Sequence, residues 1–291
     1  MTLPEIRIAL DARDRLGEGP GWDDERGELV RVDITGSRVH GWSPESGPTW
    51  SIEVEGEVGA AVLRKDGGLV LAIDHALVLR DPDGSERVLA TAEEDKDENR
   101  FNDCRADPQG RLWAGTMSRV RTPGAAALYR LEPGGELEQV LDGTAISNGI
   151  GWSPDGETMY FVDSPSQKLD ALDFDPATGA ISNRRTIAEV DPADGLPDGL
   201  TIDAEGGVWV ALFAGGALRR YAPDGTLEAH VELPLTNPTC PAFGGPELET
   251  LYLTTAWHKL TPEQHAAEPL AGALLAFEPG VRGLPRHRFG G

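Results

Sequence analysis

Cysteine is nearly absent: Cys104 and Cys240 are the only two in 291 residues. That is too few for a secreted disulfide framework, and they lie too far apart for a zinc cluster. The six histidines, His40, His75, His230, His258, His265 and His287, show no paired metal-ligand spacing. No run of 18 apolar residues occurs, which excludes a helix crossing a bilayer. The opening residues lack the basic and then apolar stretches of a signal peptide, so a cytoplasmic location is expected. Positive charge is also scarce, with 26 Lys and Arg against 49 Asp and Glu and a net charge of −23. Such a surface repels phosphate backbones and anionic lipid, so neither nucleic acid nor membrane is an expected partner. There is no Gly-x-Ser-x-Gly elbow and neither cysteine has an obvious histidine partner, which argues against covalent catalysis.

What is present is short strand signals broken by turns, with 36 glycines and 22 prolines. A first pattern joins two apolar stretches through a tight polar turn. It reads GWDDERGELVRVD from Gly21, VLRKDGGLVLAID from Val62, CRADPQGRLWAGT from Cys104, GWSPDGETMYFVD from Gly151 and TIDAEGGVWVALF from Thr201. A degenerate sixth copy, AFGGPELETLYLTT, starts at Ala242. The turn glycines Gly27, Gly67, Gly110, Gly156 and Gly206 are 40, 43, 46 and 50 residues apart. A second pattern follows each copy of the first, as in HALVLRDPDGS from His75 and ALRRYAPDGTL from Ala217. Two interleaved families of six describe an all-β, six-bladed β-propeller with four antiparallel strands per blade. The units fill residues 1–291 as one domain.

In a propeller the first strand of each blade lines the central channel, so equivalent early positions converge on the axis. Eight residues before the turn glycines stand Gly59, Asn102, Asn148 and Asp198, and nine before Gly27, where the turn is one residue longer, stands Glu18. Four of these five positions carry a carboxylate or carboxamide, in the small-residue settings LGEGPGW, RFNDCRA, SNGIGW and PDGLTI. A ring of such oxygens suits a hard divalent cation: Ca²⁺, Mg²⁺ or Mn²⁺, with Fe²⁺ and Zn²⁺ as alternatives. By register, His258 in AWHKLTPEQH is the only histidine close to the axial rim.

Taken together and in order, LGEGPGW, NRFNDCRADPQGRLWAGTM, ISNGIGWSPDG, TGAISNRR, PDGLTIDAEGGVWVA and FGGPELETLYLTTA resemble the gluconolactonase/regucalcin (senescence marker protein) family. The resemblance covers nearly the whole chain and implies a six-bladed propeller. It implies that Glu18, Asn148 and Asp198 ligate one divalent ion, calcium first among the candidates, and that Arg100 and Asn102 hold substrate oxygens beside it. Asp103 becomes an additional substrate contact. The pattern breaks after AGTM, where the family carries a Glu-rich lid. Here SRVRTPGAAALY is shorter and basic, with Arg119 and Arg121, which leaves the identity of the substrate open.

The implied activity is metal-dependent hydrolysis of a sugar lactone, such as gluconolactone, to the aldonic acid. Asp198 would accept the proton of the attacking water, Glu18 would neutralise charge, and Arg100 and Asn102 would orient ring hydroxyls. The expected partner is a small-molecule sugar lactone, with the protein a monomer or small homo-oligomer. Three other readings stay open: a propeller phosphotriesterase or arylesterase, a non-catalytic calcium-binding regulatory protein, and a protein-interaction propeller.

Overall fold

The computed structural model describes residues 5–291. Its strands form six four-stranded antiparallel sheets. Blades one to five are contiguous in sequence, at residues 17–53, 58–91, 99–144, 147–189 and 196–232. The first strand of each is the innermost. In blade one Gly17–Asp23 is buried throughout, whereas the fourth strand, Gly47–Glu53, is largely exposed. Seven apolar clusters, most of them spanning neighbouring blades, supply the core, among them a cage of Trp113, Trp152 and Phe174.

The recurring D-x-x-G-x-x-W turns explain part of the sequence pattern. Asp107 and Asp203 are fully buried in blades three and five. Each accepts hydrogen bonds from the amides of its own turn and from the indole six residues on, Trp113 at 3.0 Å and Trp209 at 2.8 Å. A buried carboxylate satisfied in this way pins the hairpin that sets the inner strand's register.

Blade six departs from the simple repeat. Pro238–Gly244, Thr250–Thr255 and Leu274–Phe277 supply three strands, and the outermost comes from the other end of the chain, Arg7–Leu10. Closing the ring with both termini removes a free seam. The C-terminal segment is thereby released to run under the channel. Phe289 is buried among residues of blades two and three, and Arg286 Nη1 donates to the Pro20 carbonyl at 2.6 Å. No helix among the described residues is long and apolar enough to cross a membrane.

Every inner strand shifts register at the same level, between Glu18 and Gly21, Val58 and Ala60, Phe101 and Cys104, Asn148 and Ile150, Pro197 and Leu200, and Pro238 and Pro241. Bulges re-aim side chains and commonly border active sites. Here they encircle the axis. Gly149 and Gly199 allow the crowding this demands: a Cβ on Gly149 would lie 2.8 Å from the Asp198 carbonyl oxygen, and one on Gly199 2.5 Å from Cys240 Cβ.

Candidate active site

The bulge level forms the floor of a cavity of about 320 Å³ at one end of the channel. Glu18, Arg100, Asn102, Asn148 and Asp198 all line it, from four different inner strands. The four axial positions reached by counting back from turn glycines therefore meet in one place. His258 lines the rim with Lys259, in the loop before a short capped helix, Pro262–Ala267. Burial and the nearby charges of Lys259 and Arg15 hold the His258 pKa below its ordinary value.

Amides tie the blades together. Asn102 donates through Nδ2 to Asn148 Oδ1 at 2.8 Å and to the Ser147 carbonyl at 2.9 Å. Asn148 in turn donates to Ser164 Oγ at 2.8 Å. Its carboxamide oxygen is thus oriented and keeps one lone pair, whereas both Asn102 amide hydrogens are spent. Asn102 Oδ1 accepts from Arg100 Nη1 at 2.7 Å. Toward a ligand Asn102 can offer only an acceptor.

The two carboxylates are the least satisfied groups. Glu18 and Asp198 are buried, at 9% and 7% exposure, and neither has an ion-pair partner among the described residues. Glu18 accepts one hydrogen bond, from the Gly19 amide at 2.9 Å, and Asp198 accepts none from the described residues. Burial raises the pKa of both, and each is raised further by neighbouring carboxylates, Asp103 for Glu18, and Glu18 then Asp103 for Asp198. Carboxylates packed this closely with no ion-pair partner are an environment a divalent cation completes. No three His, Cys, Asp or Glu side chains converge as a metal cluster among the described residues. The donor set on offer is two carboxylates with the Asn148 carboxamide. These residues fit a hard cation that keeps open positions.

Asp103 behaves differently from its neighbours on the strand. It is buried, but it is not part of the cavity wall, and its Oδ2 has no hydrogen-bond partner. The Phe101–Cys104 bulge turns Asn102 into the cavity and leaves Asp103 in the field of Arg105 and Arg286 at the opposite end of the channel. There burial and the charge of Arg105 depress the Arg286 pKa to about 9.

Two polar cavity residues carry no repeat signal. Glu57 lies 3.1 Å from Arg100 Nε and accepts from Arg119 Nε at 2.8 Å. Ser164 follows the second strand of blade four and orients Asn148. Above them Leu16, Ile34, Met117, Ile146, Leu196 and Phe213 make an apolar collar. The basic loop after AGTM splits in two. Arg119 is engaged, and Arg121, at the cavity wall, has no carboxylate partner among the described residues.

Fold and site together describe a six-bladed propeller with an oxygen-donor centre on its axis and a buried guanidinium beside it. The SMP-30/Gluconolactonase/LRE-like region profile matches residues 16–257, and the chain belongs to that family. It is 38% identical to regucalcin of Xenopus laevis over 299 aligned positions, covering 100% of both chains. It is likewise 38% identical, over 92% of this chain and 93% of the other, to YvrE of Bacillus subtilis, a protein named for sugar lactone lactonase activity. Among solved structures, a calcium-binding protein, regucalcin, from Agrobacterium tumefaciens superposes with a TM-score of 0.92 at 32% identity over 98% of each chain.

Proposed function

We propose that this chain hydrolyses a sugar lactone with the help of one divalent ion. The observation that carries the reading is the pair of buried carboxylates without an ion-pair partner among the described residues, Glu18 and Asp198, on the floor of a cavity whose wall also presents Arg100. Family membership and the name of the Bacillus relative support the same substrate class. Glu18, Asn148 and Asp198 would hold the ion, calcium first by the hardness of its donors, with Mg²⁺, Mn²⁺, Zn²⁺ or Fe²⁺ as alternatives. When bound, such a cation supplies Lewis acidity for an ester carbonyl and acidifies water.

The chain's own groups divide the remaining work. Glu18 is held by the Gly19 amide and, with a cation bound, would serve as fixed negative charge. Asp198 lines the cavity and accepts no hydrogen bond among the described residues, which leaves an oxygen free to take a proton from water. Arg100 spends Nη1 on the Phe101 carbonyl and Asn102 Oδ1, and its Nη2 makes no hydrogen bond among the described residues. That free donor is available to a sugar hydroxyl or the lactone carbonyl, and Asn102 Oδ1 can accept from a neighbouring hydroxyl. Asp103, set back from the wall, adds negative charge behind the floor rather than touching substrate.

The apolar collar favours a second reading, an ester with a less polar body such as an aryl ester. One panel separates the two. Aldonolactones, an aryl acetate and a phosphotriester are assayed by proton release, with metal stripped and each divalent ion restored in turn. Turnover of aldonolactones that disappears on chelation and returns with an ion supports the proposal. Tight calcium binding with no turnover of any substrate refutes it and leaves a calcium-binding protein.

A further inference from the structure

We infer that Arg119 is a positioning residue, and that it keeps Arg100 available to substrate by holding the paired Glu57 carboxylate out of line with its donors. The inference rests on the assignment of Arg100 as a substrate contact. Glu57 Oε2 stands between two guanidinium groups. It is aligned on Arg119 Nε at 2.8 Å, and it is only 3.1 Å from Arg100 Nε, yet that N–H has no aligned acceptor although it is buried. Arg100 therefore gains a neutralising charge without surrendering its donors to it.

Arg119 is itself held on the far side. Its Nη2 donates to Asp74 Oδ1 at 2.7 Å, and its Nη1 donates to the Asn99 carbonyl at 2.9 Å, next to Arg100 in sequence. One planar fork thus fixes Glu57 against blade two and registers the start of the blade-three inner strand. Were Arg119 removed, the hydrogen bond that fixes the orientation of the Glu57 carboxylate would be lost. A carboxylate already 3.1 Å away would close side-on onto Nε and Nη2, the bidentate arrangement that arginine and carboxylate favour. It would occupy the donor left open to the cavity. Arg119 and Glu57 are each about one-third exposed, at 32% and 29% of the side chain, so their pairing adds little stability and acts mainly on orientation.

The geometry gives a signed interaction between substitutions. Arg119→Ala should raise KM for an aldonolactone about tenfold with kcat within about twofold, since Glu57 now competes with substrate. Adding Glu57→Gln to Arg119→Ala should return KM to within about threefold of the parent, because a neutral amide competes weakly for the guanidinium. Arg119→Lys, which keeps a cation near Glu57, should lie between parent and Arg119→Ala. A readout independent of turnover is the Arg100 Nε–Hε resonance in ¹⁵N NMR. In Arg119→Ala it should move downfield and exchange more slowly with water as it acquires an acceptor, and revert in the double variant. If the parent turns over no lactone, the lactonase reading fails, and the NMR comparison still decides the positioning role. An unchanged KM in Arg119→Ala, a double variant no better than the single, or an Arg100 resonance indifferent to Arg119 would each overturn the inference.

Discussion

Asn102 Nδ2 donates to Asn148 Oδ1 at 2.8 Å, so an amide of blade three sets the orientation of an amide of blade four on the propeller axis. Asn102→Ala removes that donor and leaves Asn148 held only by Ser164. Residues that orient a metal ligand contribute roughly 10–100-fold to affinity. Calcium affinity measured by isothermal titration should fall by about tenfold in Asn102→Ala, although Asn102 stands outside the proposed ligand set. An affinity equal to the parent's would place Asn102 on the substrate side alone.

Asp198 exposes a trade between stability and function. Its carboxylate is buried near Glu18 and Asp103, with no ion pair to offset the repulsion. Asp198→Asn keeps the shape and removes the charge. The metal-free variant should melt higher than the metal-free parent, by roughly 2 °C or more, while lactone hydrolysis falls by roughly 10²–10⁴-fold. Calorimetry of the stripped proteins and proton-release assays of the loaded ones measure the two halves. A lower melting temperature would mean that the carboxylate is a structural acceptor after all.

His40 gives the acid side of the stability profile a specific contributor. It lies in the third strand of blade one, where burial and the neighbouring Arg31 depress its pKa from 6.5 to about 4. The unfolded chain therefore binds more protons than the folded one between these values, and stability falls as pH drops through that window. His40→Gln should lose less stability than the parent between pH 6.5 and 4, as judged by urea midpoints at both pH values. Equal losses would assign the acid sensitivity to carboxylates instead.

Counting back from turn glycines located Glu18, Asn102, Asn148 and Asp198 because each inner strand reaches the axis through a bulge at the same level. The Asp107 and Asp203 turns show what keeps that register: a buried carboxylate tied to its own hairpin. The six-blade architecture was legible for the same reason, since hairpins recur locally. The source of the sixth blade's outer strand was not, because pairing Arg7–Leu10 with Leu274–Phe277 is a contact between chain ends that no local pattern encodes. Glu57 and Ser164 escaped because they stand outside the strands that repeat. Asp103 was placed with its neighbours Arg100 and Asn102 in NRFND, but the bulge that aims Asn102 at the cavity leaves Asp103 off its wall.

The loop that departs from the family pattern makes a prediction about substrate charge, and the structure separates its two arginines. Arg119 is committed to Glu57 and Asp74, so its charge is already neutralised. Arg121 and, across the mouth, Lys259 line the cavity with no carboxylate partner among the described residues. Arg121 is also near enough to act on the Asp198 carboxyl, opposing its upward shift. Two free cations at one mouth of a chain with 49 acidic residues favour a lactone that carries a free carboxylate or a phosphate. Arg121→Glu should therefore lower the ratio of kcat/KM for an acidic lactone over a neutral aldonolactone by about threefold to tenfold, that is, ~1 kcal/mol. Lys259→Glu should act in the same direction. Because both side chains are exposed, the effect should shrink in 0.5 M salt, where a screening length of about 4 Å isolates them from the ligand. A ratio that moves less than about threefold, or one that salt leaves untouched, would return both residues to the ordinary surface and place substrate choice on the collar and Arg100.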